Sequence, residues 1–372
     1  EVQCVPAIIP SDYFNTVLWT GASGTPRTIT GVGFTPDFIW GKSRSYAYPH
    51  GLYDSVRGFG STKALASNFA GEEGSSDVNE ANFQRNGFIN ANNSDGFVVQ
   101  DGTADGGYFG TSSSVIGGLY VAWNWKAAAT TTTIAANTVG NTIASDVRAS
   151  TESGFSIVKY IGNENANQTV AHGLSQSPEI VFTKQLDGTR EWTVPLLSGF
   201  STGNYLVLND TNTLADDNNR WSSISSSTIT IGASPFTNGS GSPYISYFFH
   251  SVPGMSDIGS YIGTGATGNS IVTGFRPAFL MIKNTTGGSS WVNFDNKRNP
   301  SNPKEDALFP NLSSAEYTFS NTGINFLSNG FSLISNPGET NASGSTYIYL
   351  AIAEEVYNAN GVTANQTNPF ND

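Results

Sequence analysis

The chain has 372 residues, room for two or three domains that each bury a core. Only 12% of its residues are Asp, Glu, Lys or Arg, about half the share usual in soluble globular proteins, while aromatics also reach 12% and there are 41 glycines. This is the profile of a turn-rich β protein with very little helix. Its 29 acidic and 17 basic groups give a net charge of -12, which repels phosphate backbones and anionic membranes and argues against nucleic-acid binding. The one cysteine, Cys4, excludes an intrachain disulfide and a multi-cysteine metal site, leaving a buried or idle thiol as the expectation. No apolar run reaches the length of a membrane span, so no membrane insertion is expected, and the opening EVQCVPAIIP has neither a basic nor an apolar leader region. The first residue is not Met, so processing or an upstream attachment segment is left open.

In chain order the predicted elements fall into three similar runs, the signature of internal repetition. The first opens with LWTG at Leu18 to Gly21, followed by GVGFTPDFIWGKS from Gly31; the second opens with KYIG at Lys159 to Gly162, followed by AHGLSQSPEIVFTK from Ala171. The third opens with SYIG at Ser260 to Gly263, followed by VTGFRPAFLMIK from Val272. In all three a proline precedes a lysine by six residues: Pro36 and Lys42, Pro178 and Lys184, Pro277 and Lys283. Trp192 and Trp291 lie eight residues past their lysines; Asp54 and Asp295 lie twelve past, with Arg57 and Arg298 three residues further on.

The apolar run after each proline reads as a strand covered on both faces, with proline tolerated at its entry. Each copy closes alike, with YVAWNWK from Tyr120, YISYFFH from Tyr244 and YIYLAIAEE from Tyr347. Alternation places Val121, Trp123 and Trp125 on one face, matched by Ile245, Tyr247 and Phe249 and by Ile348, Leu350 and Ile352, as for a half-buried strand. Gly-Phe steps at Gly87, Gly96, Gly154 and Gly330, separated by polar turn clusters, add further short strands. The expected architecture is all-β: three tandem antiparallel β-sandwich modules at 13–126, 153–252 and 258–356. A Thr/Ala-rich connector is expected at 127–152 and an extended or disordered tail at 357–372, while only about five residues join the second and third modules.

Candidate chemistry is sparse. His50, His172 and His250 sit at different places in the repeat and in no metal-binding spacing, and are read as surface or turn residues. The acidic neighbours Glu72-Glu73, Asp216-Asp217 and Glu354-Glu355 point to opposite faces if they lie in strands, so no catalytic residue is assigned. Asp101, Asp105 and the loop from Asp210 to Asp217 lack a full calcium-loop pattern, so no metal and no cofactor is expected. Asp54 with Arg57, and Asp295 with Arg298, are read as structural ion pairs that pin a loop, the other reading being a shared ligand site. Of the tryptophans that suit sugar stacking (Trp19, Trp40, Trp192, Trp221, Trp291), Trp192 and Trp291 follow polar loops and are the candidate exposed ligand-binding aromatics; Trp123 and Trp125 are expected in the core.

The segments FNTVLWTG, ITGVGFTPDFIWGKSRS, HGLYDSVRGFG, YVAWNWKA, GFSIVKYIG, TVAHGLSQSPEIV, SYIGTG, GFRPAFLMIK and ASGSTYIYLAIAEE together resemble a family of tail-fibre-like virion proteins of marine and cyanobacterial phages. The resemblance runs from about Phe14 to Glu355. It implies jelly-roll, concanavalin A-like lectin-type sandwiches on a virion appendage, homo-oligomeric and trimeric by family expectation, with no established catalytic residues. The second module departs from the pattern by lacking the Asp and Arg positions of the other two. The expected function is a non-enzymatic bacteriophage structural protein made in the host cytoplasm and carried on the extracellular particle, where it contacts other virion proteins and a host surface glycan. The alternatives are a capsid decoration or fibre-shaft protein without ligand, a polysaccharide depolymerase, and a cellular lectin or adhesin unrelated to phage.

Overall fold

The computed structural model describes residues 8–76, 81–320, 322–335 and 337–354. Cys4 and the tail from residue 357 lie outside them. The first repeat forms seven strands: β1 (Phe14–Thr20), β2 (Arg27–Thr30), β3 (Phe38–Ser43), β4 (Gly51–Asp54), β5 (Phe88–Asn93), β6 (Gly96–Gln100) and β7 (Leu119–Trp125). They make two antiparallel sheets, ordered β1-β7-β3-β4 and β2-β6-β5. The first strand pairs with the last and the second with the next to last, so the ends of each repeat are sewn together in one sandwich.

The other two repeats reproduce this order. In the second, Phe155–Ile161, Ile180–Gln185, Thr193–Pro195 and Pro243–Phe249 occupy the places of β1, β3, β4 and β7 in the larger sheet, and Gln168–Ala171, Ser223–Ile224 and Thr228–Ile231 form the smaller. In the third, the larger sheet holds Ser256–Ile262, Pro277–Asn284, Val292–Asp295 and Thr346–Ala353, and the smaller Asn269–Val272, Ile324–Leu327 and Gly330–Leu333. The chain is an all-β protein built of antiparallel sheets. Among the described residues no helix is long and apolar enough to cross a membrane.

Between the two sheets of each unit lies an apolar core of its own. In the first it holds Val17, Ile29, Ile39, Phe97 and Tyr120; in the second Val158, Val170, Val181 and Ile229; in the third Leu280, Ile282, Phe326 and Phe331. The closing tyrosine of each unit stacks on an aromatic of its first strand: Tyr120 on Trp19 at 5.4 Å, Tyr244 on Tyr160 at 5.3 Å and Tyr347 on Tyr261 at 5.0 Å. Two residues after that aromatic, Gly21, Gly162 and Gly263 pass so close to a facing backbone carbonyl that an added Cβ would lie 2.4, 2.4 and 2.2 Å from its oxygen. That close approach is why each opening motif ends in glycine.

The opposite face of each larger sheet is also covered. Phe38, Trp40, Trp123 and Trp125 of the first unit join Phe182, Tyr247 and Phe249 of the second and Phe279, Met281 and Leu350 of the third in one continuous core. Rings meet across units: Phe38 stacks on Tyr247 at 4.3 Å, Trp123 meets Phe279 at 5.6 Å, and Phe182 meets Trp291 at 6.1 Å. The closing strands are therefore not half-buried. Their alternating face lines the shared core, and their other face, carrying Tyr120 and Ala122 in the first unit, lines the unit's own sandwich. Residues 127–152 do more than connect: Thr132–Ile134 and Ser145–Ser150 form strands, and Ser145–Ser150 extends the second unit's larger sheet by pairing with Phe155–Ile161.

Because one core joins the units, calorimetry is expected to record one cooperative transition whose calorimetric and van't Hoff enthalpies agree. Trp123→Ala, at a position 0% exposed, is expected to lower the stability of the whole body by about 3–5 kcal/mol. Three separable transitions, with only one moved by the substitution, would contradict the shared core.

Candidate functional site

The residues singled out by the repeat converge on the seams between units. Trp192 and Trp291, expected as exposed ligand-binding aromatics, are 0% and 1% exposed. The correction has a physical cause: the strand after each polar loop packs against the neighbouring unit, and the indole finds a hydrogen-bond acceptor there. Trp192 Nε1 donates to the Ala66 carbonyl at 2.8 Å and Trp291 Nε1 to the Val207 carbonyl at 2.9 Å. In the first unit the residue eight past the lysine is His50, whose Nε2 donates to the Phe309 carbonyl at 3.0 Å. These bonds run from the second unit to the first, the third to the second and the first to the third, closing a ring with pseudo-threefold order.

The sequence reading missed the partner of this position. Asn68, Asn209 and Asn311 each accept a hydrogen bond through Oδ1 from the backbone amide of His50, Trp192 and Trp291, at 3.0, 2.8 and 3.0 Å. The signal was available as a recurring Leu-x-x-Asn, since Leu65, Leu206 and Leu308 precede the three asparagines and are buried in the shared core.

The expectation of surface histidines is also corrected, as His50, His172 and His250 are all buried. Trp40 Nε1 donates to His50 Nδ1 at 2.9 Å, so the proton of His50 sits on Nε2 and the ring is neutral. Burial, reinforced by the positive charge of Lys42, holds its pKa well below the usual histidine value. Burial likewise lowers His172 to about 4.

The two Asp–Arg pairs are buried at equivalent seams. Arg57 Nε meets Asp54 Oδ2 and Arg298 Nε meets Asp295 Oδ2, each at 2.5 Å, and Nη1 of each arginine reaches a second carboxylate, Glu73 or Glu316. Each aspartate also accepts a bond from the next unit: Tyr247 Oη donates to Asp54 at 2.8 Å and Trp123 Nε1 to Asp295 at 3.1 Å. Burial alone would lower the pKa of Arg57, yet Asp54, Tyr247 and Glu73 hold it above the ordinary value. The second unit has Leu196, Gly199 and Leu214 where the others have Asp, Arg and Glu, and the third carries Leu350 in place of the donor. At that seam the whole polar set is absent.

Lys42, Lys184 and Lys283 are fully buried, their ammonium groups held by backbone carbonyls: Ser43 and Tyr46, Gln185 and Gly188, Asn284 and Thr211. Burial pushes Lys42 down to about 7 and Lys283 to about 8. Trp19, Trp40 and Trp221 are buried as well. Asp101 accepts from the Thr111 hydroxyl and Asp105 from the Gly106 amide. Among the described residues no group of three or more His, Cys, Asp or Glu side chains is placed to hold a metal ion.

A cleft opens along each seam. That between the third and first units, of about 410 Å³, is lined by Asn15, Asn296, Lys297 and Glu354. That between the second and third, of about 100 Å³, is lined by Glu179, Leu196, Phe200 and Ile258. The largest, of about 670 Å³, lies between the first and second, where Phe34, Phe59 and Asn92 face Lys126 and Arg148 across Asp37. Arg148 Nη1 is bound to Asp37, which also accepts from Ser55 Oγ at 2.7 Å and from the Ala127 amide at 2.8 Å. This web ties Ala127 and Arg148 to Asp37 and so holds one wall of the cleft in place. Its size falls within the range of small-ligand sites, which makes it the candidate functional site.

Two measurements test how the seams are held. Asp54→Ala strands the buried Arg57 and is expected to cost about 3–5 kcal/mol, whereas replacing Asp54, Arg57, Glu73 and Tyr247 together by Leu, Gly, Leu and Leu, the set found at the apolar seam, is expected to cost less; urea unfolding decides, and additive losses would contradict the account. Histidines whose pKa is lowered on folding give the unfolded chain more protons below about pH 6.5, so stability is full above that value and falls as the pH drops below it. The urea midpoint is expected to be lower at pH 5 than at pH 7.5, by a margin that shrinks in His50→Gln; an unchanged margin would contradict the role given to His50.

No curated protein and no solved structure matches this chain. A family model described as a domain of unknown function, DUF7483, matches residues 9–356 in one span that takes in all three units. The chain belongs to that family.

Proposed function

We propose that this chain is a non-enzymatic bacteriophage virion protein, a tail-fibre or appendage component that contacts the host cell surface. The motif resemblance described above supports the phage reading. The observation that carries the contact role is the 670 Å³ cleft set in a body closed by a common core: its walls are fixed before any ligand arrives, so little ordering cost falls on binding. A threefold-ordered ring within one chain suits assembly with itself or with other virion proteins of matching symmetry. The partner at the surface would be a host glycan.

A depolymerase is the second reading, favoured by one observation. Asp257 has its pKa raised by burial, against the opposing hydrogen bond from Tyr349 and with Glu179 adding to the rise, and a raised carboxyl pKa is one requirement of an acid catalyst. Its Oδ2 is taken by the Tyr349 hydroxyl, and the adjacent seam cleft of about 100 Å³ falls well short of the usual ligand-site volume.

Immunogold electron microscopy of purified particles, with antibody to this chain, is expected to place label on tail appendages. Label over the capsid would favour decoration without a ligand, and no label would overturn the virion reading.

A further inference from the structure

We infer that the cleft between the first and second units binds a saccharide bearing a carboxylate, with Lys126 as the group that reads the charge. The inference rests on the host-contact reading and names the ligand class.

Two cations and one carboxylate line the cleft. Arg148 is already neutralised by Asp37 and further held by the Ala129 carbonyl at 3.0 Å and by Thr131 Oγ1 at 3.1 Å. Lys126 is different. It is half-buried, has no carboxylate within ion-pair distance among the described residues, and lies over the Tyr13 ring at 5.7 Å from its centre. A cation–π contact leaves the ammonium donors free for an acceptor on the ligand. Glu152 reaches this neighbourhood through the Tyr13 hydroxyl, which donates to it at 3.1 Å, yet Lys126 stays outside any ion pair among the described residues, on a chain of net charge -12.

That contrast selects the ligand. A polyphosphate or a densely sulfated chain would be repelled by the body as a whole, while an uncharged ligand would leave Lys126 unused. A sugar with a single carboxylate per ring presents sparse charge that one ammonium can match. The remaining lining suits the rest of such a ligand: Ser55 donates to Asp37 and the Asn92 amide to the Pro36 carbonyl at 2.8 Å, which leaves the Ser55 and Asn92 oxygens, with the Thr35 hydroxyl, to meet sugar hydroxyls, and the half-buried Phe59 offers a ring to the apolar face of a pyranose. The other two seams lack this balance. Lys297 shares its cleft with Glu354, whose carboxylate Arg276 binds at 2.8 Å, but the aromatic lining that cleft is the buried Phe14, with no ring offered to a sugar; the smallest cleft holds Glu179 and no cation.

Isothermal titration calorimetry of the full chain with trigalacturonate and with uncharged maltotriose tests the inference. Trigalacturonate is expected to bind at least tenfold more tightly than maltotriose, to weaken as salt is raised, and to weaken at least fivefold in Lys126→Gln, whose melting temperature stays within a degree or two of the parent. Asn92→Ala is expected to weaken it without changing the salt dependence, separating hydroxyl recognition from charge recognition. Binding of neither sugar, equal binding of both, or trigalacturonate binding untouched by Lys126→Gln would overturn the inference. These failures are distinct from failure of the host-contact reading. If purified chain blocks phage adsorption while trigalacturonate does not bind, only the ligand assignment falls; if trigalacturonate binds as expected but no particle carries the chain, only the virion reading falls.

Discussion

Each large sheet in this chain has two apolar faces, and its own sandwich covers only one of them. On β7 the residues alternate between Tyr120 and Ala122, which enter the unit's own core, and Val121, Trp123 and Trp125, which face away from it. Left in water, that second face would expose a patch of aromatic and branched side chains far larger than a stable monomeric surface carries. Three copies of the face, brought together within one chain, cover one another. The arrangement of the whole molecule follows from this need: the ring order, the burial of Trp192 and Trp291, and the fixed walls of the seam clefts.

An apolar core alone does not specify which unit meets which. The seams supply that through polar contacts that differ from one to the next. Two seams use an aspartate bound by its own arginine and by an aromatic donor from the neighbour; the third has three leucines and a glycine at the matching places, with donor and acceptor absent together. Joint loss is what the energetics favour, since a lone Asp, Arg or phenol left in that interior would carry a desolvation cost with no partner. Mismatched seams also make the three units distinguishable, so each has one place in the ring.

Much of this was legible in the residues. The proline-to-lysine spacing, the closing tyrosines and the turn-rich composition identified an all-β chain with a repeated unit, because strand periodicity and turn chemistry are local properties. Burial by a neighbouring unit is not local. Trp192 and Trp291 follow polar loops and by every nearby residue look exposed; only the Ala66 and Val207 carbonyls of other units reveal why they are not. The same gap hid the histidines and made residues 127–152 read as a connector, although Ser145–Ser150 is a sheet strand and Arg148 a wall of the cleft. The recurrent Leu-x-x-Asn was visible but has no meaning until the asparagine is seen holding the amide eight residues past each lysine.

Native-state hydrogen exchange tests the shared core most directly. If the three units rest on one another, the slowest amides of β7 and of its counterparts Pro243–Phe249 and Thr346–Ala353 will exchange only through global unfolding, with the same opening free energy and the same denaturant dependence in all three. Three different opening free energies, each with a denaturant slope fitting a body one third the size, would mean that the units fold independently and that the common core does not hold them together.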